Sequence, residues 1–432
     1  MQDSEANVQD QPVEPQGEAP LMVVGIGGSA GGLQALISLL EAVDGDVPAA
    51  LVVVLHLAPD FQSQAAEILQ RATTMRVTQV TERMRLEKGH VYVIAPGMNL
   101  ITDDGHVQPA GASTRRPSTV IDLFFRSLAQ AHRDRSVGII LSGTGRDGSL
   151  GIAQVRECGG LTIVQEPEEC EHADMPRAAM ATGSADLILP AAEIGRRLTG
   201  LATAARPVAF RDADTSGHTA ATDTESEDAS PELVLQDILT GLRRHTRYDF
   251  RHYKRGTIMR RLERRMQVVG LSSLEEYRDL ARDKPEEYGA LLVDLLISVT
   301  TFYRDPAAFE ALQRDVVPQV MEGVAPGEEV RAWIAACASG EESYSIAILM
   351  QEYAEQMPHA PRLQLFASDI SDSALQVARA GVYPANIAAD LTESRLLGYF
   401  EREEGGFYRV RPAVRETIVF ARHNALADPP FS

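Results

Sequence analysis

The chain has 432 residues, with 61 acidic side chains against 41 basic ones and a formal net charge of −20. This balance argues against general nucleic-acid binding, and no apolar run is long enough to cross a bilayer, so no membrane insertion is expected. Three cysteines, Cys158, Cys170 and Cys337, make neither an even disulfide set nor a metal pattern; a reducing cytoplasm and no metal are expected. The length predicts two or three domains of ordinary globular composition.

In chain order, residues 1–20 carry Asp3, Glu5, Asp10, Glu14 and Glu18 and no lysine or arginine. This is the reverse of a signal peptide and predicts a disordered acidic tail. An apolar strand from Leu21 to Ile26 then runs into the glycine-rich turn Gly25 to Gly32 and a helix. Such a turn holds Ser29 clear of its own backbone, with helix N–H groups close by. Two patterns overlap here. Gly27, Ser29 and Gly31 match the G-x-S-x-G elbow, while Gly25, Gly27 and Ala30 match a dinucleotide fingerprint. The fingerprint needs an acid at the end of the second strand to bind a ribose. That strand, Ala49 to Leu55, ends on His56, and Asp44 and Asp46 precede it. A nicotinamide-binding enzyme thus lacks half its signature, and a serine nucleophile gains a base. A third strand, Val137 to Leu141, leads into a glycine-rich loop carrying Asp147. Ser29, His56 and Asp147 all follow strand ends, where a parallel sheet places its ligand crevice. They supply nucleophile, base and orienting acid, in an order unlike that of ordinary α/β-hydrolases.

Residues 21–198 resemble the catalytic domain of chemotaxis protein-glutamate methylesterases, the CheB family. The resemblance rests on Gly25 to Gly32, Leu55 to Pro59, Gly89 to Pro96, Leu141 to Gly148 and Met175 to Arg177. It implies a Ser29, His56 and Asp147 triad hydrolysing glutamyl γ-methyl esters on receptors, with deamidation of some glutamines. Thr144 stands where stand-alone members usually have methionine, and Asn99 replaces a common histidine. The family's receiver domain has no counterpart in the short stretch before Leu21, so phosphorylation control from within this chain is not expected.

Residues 199–232 are acidic and poor in large apolar side chains, the composition of a flexible linker. Beyond it, Leu233 to Leu242 is apolar at helical spacing. A basic stretch follows, in which Ile258, Leu262 and Met266 mark a core-facing side. Arg260, Arg261, Arg264 and Arg265 are then expected on the solvated sides, suited to an acidic partner. Leu291 to Ser298 predicts a buried helix, and Pro306 the start of the next. Strand Val330 to Ala335, a turn with Gly340, a helix and strand Leu363 to Ala367 ending near Asp369 together have the plan of a nucleotide half-site. Glu341 and Glu342 on that turn disfavour a pyrophosphate and favour a cationic sulfonium ligand.

Residues 233–432 resemble chemotaxis receptor methyltransferases, the CheR family, through Tyr253 to Arg255, Arg260 to Arg265, Thr300 to Pro306, Cys337 to Ser345, Phe366 to Ile370, Ala378 to Tyr383 and Phe420 to Asn424. The resemblance implies an all-α domain at 233–307 and a Rossmann-like domain at 308–432. It also implies that S-adenosylmethionine is bound by Thr300, Arg304, Glu341, Asp369 and Asn424, and that the methyl-accepting receptor meets Arg260, Arg261, Arg264 and Arg265. Ser298 replaces an asparagine that contacts cofactor in some members. The family continues past Asn424 into further strands, so a fragment with an incomplete transferase sheet is expected. The expected whole is an α/β chain in which two opposed enzymes are fused. The alternative is a regulatory scaffold with one or both sites inactive. No sequence signal bears on oligomeric state.

Overall fold

The computed structural model describes residues 21–56, 64–110, 120–204, 231–251, 253–296, 300–324, 328–384, 387–388, 390–403, 407–425 and 427–429. The expected tail at 1–20, most of the expected linker and Ser298 lie outside these residues. The chain divides into two compact units: residues 1–237 with 262–279, and residues 238–261 with 280–432.

The first unit begins with β1 (Met22–Gly28), α1 (Gly32–Ala42), β2 (Ala49–Leu55), α2 (Ala65–Ala72), β3 (Arg76–Val80), β4 (Met84–Arg85) and β5 (His90–Ile94). It continues through β6 (Asn99–Asp103), β7 (His106–Ala110), α3 (Val120–His132), β8 (Ser136–Ile140), α4 (Ser149–Glu157), β9 (Leu161–Gln165), α5 (Asp174–Ala181), β10 (Leu187–Leu189) and α6 (Ala191–Ala204). Seven strands form one sheet in the order β10-β9-β8-β1-β2-β5-β3, and every pairing in it is parallel. β4, β7 and β6 form a small antiparallel sheet beside it.

Strand periodicity divides the core in two. Val24, Ile26, Leu51 and Val53 pack in one cluster with Leu36 and Leu39 of α1 and Ile194 and Leu198 of α6. Their neighbours Val23, Ala50, Val52 and Val54 pack in another with Phe124, Phe125 and Leu128 of α3 and Ile152 of α4. A sheet covered on both faces needs unbroken apolar strands, and the β2 sequence, two alanines followed by Leu51 to Leu55, supplies one.

The helices that follow are α7 (Pro231–Thr246), α8 (Arg255–Val269), α9 (Leu274–Asp283), α10 (Glu286–Leu295), α11 (Pro306–Ala311) and α12 (Val317–Glu322). Pro306 does open α11, and the Asp305 carboxylate caps it by accepting from Ala308 N–H at 3.4 Å. A buried helix is expected at Leu291 to Ser298; α10 starts earlier and ends at Leu295, and its burial is mixed. Val293 is 56% exposed, whereas Asp294 is buried.

The second unit continues with β11 (Glu329–Ala335), α13 (Glu341–Ala354), β12 (Arg362–Asp369), α14 (Asp372–Ala380), β13 (Val382–Pro384), α15 (Glu393–Tyr399), β14 (Phe400–Arg402), β15 (Phe407–Val410), α16 (Pro412–Arg415) and β16 (Ile418–Arg422). β11, β12 and β16 form a parallel sheet, and β13, β15 and β14 an antiparallel one. Phe302, Tyr344, Ile348, Leu365, Tyr383 and Phe400 are among the residues of their shared core. No described helix is long and apolar enough to cross a membrane.

One ion pair in the first unit is fully enclosed. Arg264 of α8 and Asp186, just before β10, have side chains only 3% and 2% exposed and meet at 2.6 Å. The guanidinium reaches both carboxylate oxygens and also donates from Nε to the Gly160 carbonyl at 3.1 Å. Thr162 N–H donates to the same carboxylate at 2.9 Å. Arg156 Nε also lies 3.4 Å from Asp186 Oδ1, so losing Arg264 leaves the buried carboxylate with one longer ion pair, at a cost below the ~3–5 kcal/mol of a buried charge left with none. Arg264→Met is therefore expected to lower the thermal midpoint of the first unit markedly, and Arg264→Met with Asp186→Asn to recover part of the loss. Equal midpoints for wild type and the single variant in differential scanning calorimetry would show that the pair carries no such energy.

Candidate active sites

Three strands meet at the first site. β1 lies between β2 and β8, and the chain runs to opposite sides of β1 in reaching them, which makes this edge the sheet's switch point. In register, Gly28 pairs with Leu55 and Gly27 with Ile140. Ser29 and His56 are therefore the next residues off two adjacent strands. Backbone bonds fix the exits: Ser29 N–H donates to Ser142 O at 3.0 Å, His56 N–H to Gly28 O at 3.3 Å and Leu141 N–H to Gly27 O at 2.9 Å. The turn depends on Gly31, whose φ is 75°. An added Cβ there would lie 2.6 Å from Ser142 Oγ and 2.7 Å from Glu171 Cβ, so only glycine fits.

His56 Nε2 stands 2.7 Å from Asp147 Oδ2. The Asp147 side chain is 2% exposed and that of His56 25%, so the acid is sealed while the imidazole still reaches the surface. Asp147 also accepts from two N–H groups at the start of α3, Ile121 to Oδ2 at 2.9 Å and Asp122 to Oδ1 at 3.0 Å. These are among the donors a helix leaves unused, at its positive end. With the carboxylate accepting, the proton of the ring sits on Nε2, and Nδ1 is the nitrogen left with a lone pair.

Ser142 and Gln165 are structural parts of this site that the sequence reading passed over. Ser142 Oγ donates to Ala30 O at 3.0 Å and accepts from His172 N–H at 3.0 Å. The Ser142 N–H donates to the buried Gln165 side chain at 2.8 Å. The turn around Ser29 is thereby tied to the loop after β8. Nothing in local sequence marks Gln165 for this, because it lies on another strand. Thr144 and Arg146 of the Asp147 loop are exposed.

The second site follows β11. The turn leaves through two alanines with positive φ, Ala336 at 57° and Ala338 at 48°. Such backbone is held by its surroundings. Cys337 N–H donates to Ser368 O at 3.0 Å, and Ala338 N–H to Asp369 Oδ2 at 2.8 Å. Asp369 Oδ1 accepts from Ser371 N–H at 2.8 Å, which aims the carboxylate along the strand end. Thr300, Arg304, Ala336, Ala338 and Glu342 line a cavity of about 240 Å³ there. The structure thus brings Thr300 and Arg304 together, with Asp369 tied to the cavity wall through Ala338. Asn424 follows β16, whose Arg422 is in register with Asp369. Its N–H donates to Asp428 Oδ2 at 2.7 Å. Glu341 opens α13 and accepts from Ser339 Oγ at 2.7 Å; its neighbour Glu342, rather than Glu341, faces the cavity. Burial pushes the Glu341 carboxyl up to about 7. A nucleoside with a positive charge fits this donor set: carboxylates at Asp369 and Glu342, and an arginine for an acid group. Among the described residues, no group of three or more His, Cys, Asp or Glu side chains is placed to hold a metal ion.

The basic helix divides. Arg260 is exposed, and Arg261 and Arg265 are half-buried. Arg264 corrects the expectation of a solvated side chain: it is buried against Asp186. Ile258, Leu262 and Met266 do face the core, so α8 is covered on more than one side. Periodicity shows an apolar stripe but not a charged residue with a charged partner elsewhere.

Fold and sites together define a two-part α/β chain, a hydrolase-like parallel sheet joined to a Rossmann-like ligand-binding unit. Family models cover both parts: CheB methylesterase over residues 24–198, the all-alpha domain of CheR methyltransferase over 234–296 and the SAM-binding domain of CheR methyltransferase over 298–432. The chain belongs to both families, as a CheB–CheR fusion. An uncharacterized 104.1 kDa protein of Rhodobacter capsulatus is 36% identical over 85% of this chain and 39% of its own length. A protein-glutamate methylesterase/protein-glutamine glutaminase of Agrobacterium fabrum is 35% identical over 42% of this chain and 53% of its own length. This chain therefore spans about two-fifths to half of those relatives. The CheB methylesterase catalytic domain of Thermotoga maritima is 28% identical, with 42% of this chain and 98% of that one covered and a TM-score of 0.39.

The Glu341 carboxyl carries a pH signature. Its folded pKa lies above the ordinary value of 4.5, so between the two the folded state holds a proton that the unfolded state has lost. Its contribution to stability falls as pH rises through that window. Melting midpoints of wild type and Glu341→Gln, compared from pH 5 to pH 8, are expected to diverge in the variant's favour as pH rises. A constant difference would mean Glu341 ionises normally.

Proposed function

We propose that the chain is a bifunctional chemotaxis-type enzyme of the cytoplasm. Its domain at 21–198 hydrolyses glutamyl γ-methyl esters on a signalling receptor, and its residues 233–432 transfer methyl groups from S-adenosylmethionine to receptor glutamates. The observation that carries the first activity is the His56–Asp147 pair at 2.7 Å, beside Ser29 at the sheet's switch point.

In this reading His56 Nδ1 takes the proton of Ser29 as its Oγ attacks the ester carbonyl carbon. The tetrahedral intermediate collapses with the C–O bond to methoxide breaking, and His56 returns the proton so that methanol leaves. A water molecule, deprotonated by the same nitrogen, then attacks the acyl-enzyme; the glutamate carboxylate departs and Ser29 regains its proton. Asp147 keeps the ring in one tautomer and balances the imidazolium. A primary amide in place of the ester would leave as ammonia, which is how glutamine deamidation fits the same machinery.

For the transferase, S-adenosylmethionine supplies a methyl group made electrophilic by its sulfonium. This chain's residues need do little acid–base work; they align donor and acceptor. In this reading Thr300, Arg304, Glu341, Asp369 and Asn424 are the cofactor residues, Asp369 through ribose hydroxyls, and Glu342 on the cavity wall joins them. Arg260, Arg261 and Arg265 remain for an acidic receptor surface.

Methanol release from methylated receptor membranes tests the esterase. Ser29→Ala is expected to lower it by about 1,000-fold or more. Methyl transfer from labelled S-adenosylmethionine, measured in the same preparation, tests the other half. A folded chain that does neither would be a regulatory scaffold.

A further inference from the structure

We propose that Asp122 is a positioning residue of the esterase site: with Asp147 it forms a reciprocal pair in which each carboxylate caps the helix that the other belongs to or precedes. The inference rests on the triad reading above and adds a residue to it.

The geometry is symmetric. Asp147 immediately precedes Gly148, the N-cap of α4, and accepts from the N–H groups of Ile121 and Asp122, the second and third residues of α3. Asp122, itself in the first turn of α3, accepts from the N–H groups of Leu150 and Gly151, the second and third residues of α4, at 3.0 and 2.7 Å. Four helix-end donors are satisfied by two side chains. Neither acid reaches its donors unless the two helix starts lie side by side. Gly151 permits this: a Cβ there would stand 2.6 Å from Phe125 Cβ and 3.0 Å from Asp122 Cα.

The consequence for the site follows from Asp147 Oδ2, which holds both Ile121 N–H and His56 Nε2. Asp147 stands on the loop that α4 terminates, so whatever anchors the start of α4 fixes the distance to His56. Asp122 is that anchor from the α3 side. Burial first, and the neighbouring Asp147 charge second, push the Asp122 carboxyl above the usual carboxylate range. Leu150 and Gly151 both donate to Oδ1, with a further backbone bond from Gly148, so an amide keeps the Oδ1 acceptor that anchors the start of α4.

The test is ester hydrolysis at saturating and limiting substrate, each variant assayed well below its melting midpoint. Asp122→Ala removes the acceptor and is expected to lower kcat about tenfold or more with KM within about twofold of wild type, the pattern of a misplaced catalytic group. Asp122→Asn keeps the acceptor, and its kcat should stay within about threefold of wild type. A folded Asp122→Ala variant with wild-type kcat overturns the inference. So does an Asp122→Asn variant as impaired as Asp147→Ala, and this second comparison decides the matter if Asp122→Ala does not fold. Wild-type hydrolysis that survives Ser29→Ala overturns the triad itself. Hydrolysis that needs Ser29 yet is indifferent to Asp122→Ala overturns only the positioning role.

Discussion

The parallel register of β1 between β2 and β8 is the constraint on which the esterase site depends. Pairing Gly28 with Leu55 makes Ser29 and His56 simultaneous exits from neighbouring strands, about 4.8 Å apart in the hydrogen-bonding direction. A slip of one residue would turn every side chain of β1 to the opposite face. The two core clusters forbid this, because Val23 and Val24 already belong to different ones. Core packing and the juxtaposition of Ser29 and His56 are thus one problem solved by the same strands.

The two units treat their strand-end acids alike despite different chemistry. Asp147 is fixed by N–H groups at the start of a helix. Asp369 is fixed by the N–H groups of Ala338 and Ser371, from turns flanking the sheet. Asp147 accepts from the imidazole besides, and Asp369 keeps carboxylate lone pairs beyond those two bonds. The backbone strain at Ala336 and Ala338 belongs to this arrangement, since those φ values are what aim the Ala338 N–H at the carboxylate.

Much of this was legible in the chain. A glycine turn after an apolar run announces a serine held clear of its backbone, His56 stands directly after a strand-like run, and Asp147 lies in the glycine-rich loop that follows another. β11 and β12 appeared where the sequence placed them, although β12 extends through Asp369 instead of stopping at Ala367. The illegible residues share one property: their meaning lies in a partner distant in sequence. Asp122 reads as an ordinary acid in a first helical turn until α4 is set against it. Arg264 reads as a solvated arginine among others until Asp186 is found opposite. Asp294 is buried and Val293 exposed, against their hydropathy, because neighbours and not composition decide which side of α10 is covered. Local pattern reports periodicity and turn chemistry well, but it is blind to a tertiary hydrogen bond.

The Arg264 pair has a bearing on how such a fusion is inherited. The family boundary between esterase and transferase falls in the stretch before α7, and a gene cut there would seem to release two independent modules. Yet residues 262–279 count structurally with the esterase, and Arg264 supplies the enclosed cation that faces Asp186. An esterase excised at the sequence boundary would keep the acid and Arg156 beside it, and leave behind the shorter, enclosed contact to Arg264. Once such a contact is in place, the two halves are no longer freely interchangeable: recombination that brings a homologue without the arginine leaves Asp186 with Arg156 as its remaining described cation.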